Sequence, residues 1–131
     1  MFGKKKQPPI RSLIAHGSKI SGEIKFSDGM RIDGEVHGSI RSNEGSPSIL
    51  VISETAVVKG EVYADHVIVN GRVEGPLYAA VLLELQPKAR IAGDVRYAAL
   101  EMHQGAVIEG QLHALTTAAE KTVLTLAANN R

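Results

Sequence analysis

The sequence predicts an all-β protein, a single-domain parallel β-helix of about six turns, and three observations carry that prediction. First, an aliphatic-x-Gly-x-aliphatic pattern recurs six times, as ISGEI (Ile20 to Ile24), VHGSI (Val36 to Ile40), VKGEV (Val58 to Val62), VEGPL (Val73 to Leu77), IAGDV (Ile91 to Val95) and IEGQL (Ile108 to Leu112). The starts are 16, 22, 15, 18 and 17 residues apart, and the longest interval contains the polar insertion SNEGSPS, Ser42 to Ser48. A unit of that length cannot bury its apolar face alone and must stack on its neighbours. Second, each interval holds another apolar stretch: Met30 and Ile32, Leu50 and Ile52, Val67 and Val69, Leu83 and Leu85, Leu100 and Met102. Third, no helical period runs between residues 20 and 112.

Taken in order, the elements divide the chain into a body, residues 13–115, and two tails. Residues 1–12, MFGKKKQPPIRS, contain Lys4, Lys5, Lys6 and Arg11 and no acid, a charge of +4 against −3 for the rest. The Pro8–Pro9 pair makes a stiff extended spacer. A charge run of this kind is ordinarily a solvated arm. Phe2 beside the lysines adds an aromatic that can enter a lipid interface, and the combination reads as a weak two-part membrane anchor. Residue 2 is not Gly, which excludes myristoylation there. Within each repeat of the body, alternation directs aliphatic, Gly and aliphatic side chains to one face of a strand and polar residues to the other. An inward Gly in every unit marks a bend, or a wall too close for a Cβ. Residues 116–131 carry Val123, Leu124 and Leu126, too short a run for periodicity to separate helix, strand and coil.

Composition narrows the reading. The chain has 131 residues, 44% hydrophobic, with no Trp and two Phe, so its core must be narrow and aliphatic. Without Cys there is no disulfide framework and no thiolate metal site. The first thirty residues lack the apolar segment and cleavage site of a secretory signal, and no apolar run reaches 18 residues, which gives the expectation of a cytoplasmic protein.

The residues after each repeat form an outward column of Lys25, Arg41, Tyr63, Tyr78, Arg96 and His113. In-register stacking sets two tyrosines side by side between arginines, either as cover on a sheet or as a strip for a partner.

The six repeats, the opening segment SLIAHGSKISGEI (Ser12 to Ile24) and the MFGKKK head resemble the bactofilins, polymer-forming bacterial cytoskeletal proteins, over about residues 12–115. The resemblance implies a right-handed β-helix and filaments assembled end to end without nucleotide. It also implies attachment to the inner face of the cytoplasmic membrane and a scaffold role toward cell shape, polarity or cell-wall enzymes. The membrane-targeting head carries over to Met1, Phe2, Lys4, Lys5 and Lys6.

Physics reaches end-to-end assembly separately. A β-helix has two open ends whose unpaired peptide groups and apolar interior associate with other chains unless polar caps cover them. The first turn contains Leu13, Ile14, Ile20, Ile24 and Phe26, and the last contains Val107, Ile108, Leu112 and Leu115, so neither reads as a polar cap. These residues are the expected polymerisation interface.

Enzymatic readings weigh less. Hexapeptide β-helix acyltransferases keep a regular 18-residue turn and use a base such as His, whereas His16, His37, His66, His103 and His113 recur in no ligand or catalytic spacing. A polysaccharide-acting β-helix needs paired carboxylates; Glu61 and Asp94 share an outward column, about 10 Å apart if turns are about 4.8 Å apart, beyond the inverting-hydrolase range. The glycines form no phosphate-binding loop, and the slightly acidic body is unsuited to nucleic acid. No catalytic residue, cofactor or metal is expected.

Overall fold

The computed structural model describes residues 8–45 and 47–115. They form a parallel β-solenoid of six coils with three walls, and the described residues include no helix. The first coil is β1 (Ile10–Ile14), β2 (Lys19–Ser21) and β3 (Ile24–Phe26); the second is β4 (Gly29–Ile32), β5 (Glu35–His37) and β6 (Ile40–Ser42). The third is β7 (Ile49–Ile52), β8 (Val57–Lys59) and the start of β9 (Val62–Val69). The end of β9, then β10 (Arg72–Glu74) and the start of β11 (Leu77–Leu85) make the fourth. The end of β11, with β12 (Arg90–Ala92) and β13 (Val95–Tyr97), makes the fifth, and β14 (Leu100–Met102), β15 (Val107–Glu109) and β16 (Leu112–Ala114) close the sixth. One wall is the separate sheet β2-β5-β8-β10-β12-β15, and the other two share a sheet because β9 and β11 run through the corner between them.

Stacking is residue on residue. Ile20, Val36, Val58, Val73, Ile91 and Ile108 pair in sequence up one wall, and Ile24, Ile40, Val62, Leu77, Val95 and Leu112 up the next. Inside the stack these side chains are sealed, with Val36, Val58, Val73, Ile40, Val62 and Val95 at 0% exposure. Each such burial is worth about 1.5–3 kcal/mol. Two or three aliphatic columns fill a coil, and the one aromatic among the buried core residues is Phe26 of the first coil, at 4% exposure.

The glycine pattern has a different local meaning from the one expected. The sequence reading lays each aliphatic-x-Gly-x-aliphatic segment along one strand. The structure breaks every copy at the glycine: β15 stops at Glu109 and β16 starts at Leu112, so Gly110 turns the corner between two walls and the aliphatic residues point inward from both. Gly38 has φ +147°, and a Cβ there would lie 2.1 Å from the Gly22 carbonyl oxygen of the coil beneath. Both proposed reasons for glycine, the bend and the close wall, hold at this corner.

Two irregularities absorb the uneven intervals. After the insertion, Ser48 is buried and clamped to the next coil: its N–H donates to Asp65 Oδ2 (3.1 Å) and its Oγ accepts from the Asp65 N–H (3.0 Å). In β11 the register against β9 shifts between Ala79 and Leu82, a bulge that leaves Val81 58% exposed.

Candidate functional site: the open ends and an outer ladder

The inward columns run to both ends of the described solenoid. Among the described residues β15 and β16 each pair on one side only, and the last inward residues are less covered: Met102 is 48% and Leu112 47% exposed, against 0% for Leu85 and Val95 one coil below. Ile108 and Leu100 are half-buried there. Leu115 is half-buried, and its N–H donates to the Tyr97 carbonyl (2.6 Å). At the N-terminal end Ile20 is 36% exposed and Ile24 half-buried, while Ile14 and Phe26 are covered, at 7% and 4%.

Of the residues expected at the ends, two stand elsewhere. Leu13 pairs with Arg31 in the outward column of its wall and is 59% exposed on the flank; Val107 pairs with Arg90 and likewise faces out. Alternation explains both, since Ile14 and Ile108 next to them point in. Leu100 and Met102, which the end reading omits, belong at the C-terminal opening, and the signal for them was the second apolar stretch of each unit. The membrane-head residues Met1, Phe2, Lys4, Lys5 and Lys6 lie outside the described residues.

The outward column forms as expected, with Lys25, Arg41, Tyr63, Tyr78, Arg96 and His113 paired rung by rung. The Tyr63 and Tyr78 rings stack at 4.5 Å with an interplanar angle of 10°, and the Arg41 guanidinium lies 5.4 Å from the Tyr63 centroid while donating to Glu61 (3.4 Å). Partial burial, and then the neighbouring Tyr78, push the Tyr63 phenol above its ordinary value.

The acids of the walls serve the walls. Asp94 Oδ1 accepts the Gln111 N–H (3.0 Å) and Glu61 takes Arg41, so the two carboxylates weighed as a hydrolase pair each have a local partner. The Ser53 hydroxyl, assisted by Arg31, holds Asp33 below the usual carboxylate range; hydrogen bonds from His37 and from Arg72 do the same for Glu35 and Glu74. The histidines are dispersed: His37 bonds Glu35, His103 approaches Glu84 at 3.5 Å, His113 ends the ladder, and the His66 Nε2 is buried with no hydrogen-bond partner among the described residues.

Comparison with known proteins agrees with this architecture. The family model described as "Bactofilin: Polymer-forming cytoskeletal" matches residues 12–113. The chain is 28% identical over 101 residues to bactofilin BacO of Myxococcus xanthus (strain DK1622), covering 77% of each, and 28% identical over 101 residues to bactofilin BacP of the same strain, covering 77% of this chain and 40% of BacP. No solved structure matches it. With six coils of solenoid among the described residues and a family match across nearly all of them, the chain belongs to the bactofilins, a family of polymer-forming cytoskeletal proteins.

Proposed function

We propose that the protein is a scaffold that polymerises end to end, without bound nucleotide, into filaments held on the inner face of the cytoplasmic membrane, where they position cell-shape, polarity or cell-wall factors. The observation that carries the reading is the half-exposure of Met102 and Leu112, inward residues whose equivalents in the coil below are sealed. A second copy placed on that end continues columns that already exist. No ligand is needed to create such an end, because it is the cross-section of the stack itself, and nucleotide-free assembly follows. Phe2 and the lysines of the head supply the membrane contact. One head binds weakly, with roughly 1 kcal/mol per Lys near an anionic surface, and a rod carrying many heads multiplies that affinity by about 10²–10⁴.

Electron microscopy of the purified protein without nucleotide tests the assembly. Wild type should form filaments, and Leu112→Arg or Ile20→Arg should stop at small oligomers with the β spectrum retained, because a charge would be buried at the junction. Ile20 is the better N-terminal probe than Ile14, which is already covered in the single chain. Filaments of normal length from both variants would refute end-to-end stacking.

A further inference from the structure

Two outward columns run side by side on the wall formed by β4, β7, β9, β11 and β14. One is Arg31, Val51, Ile68, Glu84 and Glu101; the other, two residues further along each coil, is Asp33, Ser53, Asn70, Gln86 and His103. In the second coil the two columns hold an ion pair, Arg31 Nε to Asp33 Oδ1 at 2.9 Å. In the fifth and sixth coils they hold Glu101 and His103 over Glu84 and Gln86, a two-by-two grid of oxygen and nitrogen ligand atoms that includes no Arg or Lys.

The backbone brings these groups together. Glu84 and Glu101 are direct partners in the parallel pairing of β11 with β14, and the His103 N–H donates to the Leu85 carbonyl (2.8 Å), which fixes the histidine one turn beyond them. Residues two apart on a strand share a face, so all the side chains emerge on the same side. One donor atom from each of Glu84, Glu101 and His103 lies within 4.8 Å of the other two. His103 Nε2 stands 3.5 Å from Glu84 Oε2, which also accepts from Gln86 Nε2 at 3.2 Å. Elsewhere Asp28, Asp33, Glu54, Glu61 and Glu74 each have an Arg or Lys at ion-pair distance. Among the described residues neither Glu84 nor Glu101 has one.

We propose that Glu84, Glu101 and His103 form a binding site for a divalent transition-metal ion of the zinc class. Two carboxylate oxygens and an imidazole nitrogen are a donor set that suits Zn²⁺ and its neighbours, whereas Mg²⁺ and Ca²⁺ are served by oxygen alone. Glu101 and His103 are exposed and Glu84 half-buried, so water completes the coordination and the ion exchanges freely. The ion neutralises two like charges stacked one rung apart and ties the last coil to the one beneath it.

Zn²⁺ alone, titrated calorimetrically into the full chain at neutral pH, tests the site, with Co²⁺ as a visible-absorption probe of the same ligands. One ion per chain is expected, along with a rise in melting temperature on adding Zn²⁺ but not Mg²⁺. Glu101→Gln and His103→Ala should each weaken Zn²⁺ binding by tenfold or more and abolish the melting shift, while His113→Ala, on the tyrosine ladder, should bind as wild type does. Glu101 and His103 are exposed and His113 is half-buried on the outer ladder, so the fold is retained in each. Undiminished Zn²⁺ binding by Glu101→Gln and His103→Ala overturns the proposal. So does an equal response to Mg²⁺, which would make the carboxylates a diffuse negative patch only.

Discussion

Replacing Gly93 with alanine should destabilise the solenoid by about 3–5 kcal/mol, and the figure can be assembled from two sources. The backbone there has φ +150°, a conformation that costs a residue with a side chain about 1–3 kcal/mol. The added Cβ would lie 2.4 Å from the Gly75 carbonyl oxygen and 2.7 Å from its carbon, so the coils must part locally. Separation weakens the bonds between these two coils on either side of the corner, Gly75 N–H to Ala92 O (2.9 Å) and Leu77 N–H to Asp94 O (3.0 Å), at about 1 kcal/mol each. Gly22 provides the control. It has φ +122° at the foot of the same column, and a Cβ there meets nothing within 4 Å. Gly22→Ala should therefore cost only the backbone share, about 2 kcal/mol less than Gly93→Ala. Urea denaturation of both variants in the assembly-deficient Leu112→Arg background isolates the fold from the filament. Equal costs for the two would refute the argument that coil-to-coil contact selects glycine. In the assembling chain, loss of filaments by Gly22→Ala with the fold retained would place that corner inside the end contact.

Acid should loosen the walls: Asp33, Glu35 and Glu74 have lowered values in the folded chain, so their contribution is complete above the ordinary carboxylate range near pH 4 and is lost as pH falls through the lowered values. Denaturation midpoints should be flat from pH 7 to about 5 and drop below it, and a midpoint that already falls above pH 5 would contradict this. The Tyr63 phenol should ionise above pH 10, visible in an ultraviolet titration, and Arg41→Ala should raise it further by removing the cation beside its ring; a Tyr63 that titrates below pH 10 would count against the stacked, partly buried ring. In co-sedimentation with anionic vesicles at low salt, Phe2→Ala and the triple change of Lys4, Lys5 and Lys6 to Ser should leave the polymer in solution, while undiminished pelleting of both would reduce the head to a solvated arm.

The repeat made the coil count, the inward aliphatic columns and the outward ladder legible, because in a parallel stack one-dimensional spacing becomes three-dimensional neighbourhood. Lys25 to His113 occupy six consecutive rungs as their spacing requires. The corner role of the glycines was less legible: alternation is a property of a straight strand, and a bend at the central residue keeps both aliphatic flanks inward while changing the wall. For Leu13 and Val107 hydrophobicity alone points to the ends, whereas parity with Ile14 and Ile108 decides their direction. The donor grid at Glu84 and His103 is less legible because no glycine recurs along its wall. Its trace in the sequence is the pair Leu83-Glu84-Leu85-Gln86 and Leu100-Glu101-Met102-His103, one coil apart.

The filament contact must be more than apolar closure. Completing the burial of Leu100, Met102, Ile108 and Leu112 recovers part of about 1.5–3 kcal/mol for each, whereas association of two bodies costs about 4–15 kcal/mol before any gain appears. Apolar area at this end is therefore marginal by itself. The remainder is available from the edges of β14, β15 and β16, whose outer peptide groups face the opening in the arrangement that every inner coil uses to hold the next. A ladder across the junction adds about 1 kcal/mol per bond, but only where each strand meets a partner in register. Register ties the two contributions together: a slip of one residue would turn every inward side chain outward. A junction that needs both contributions at once admits one geometry, and that single geometry would give the rod a fixed axial repeat, the condition under which the proposed membrane contacts of many heads would act together.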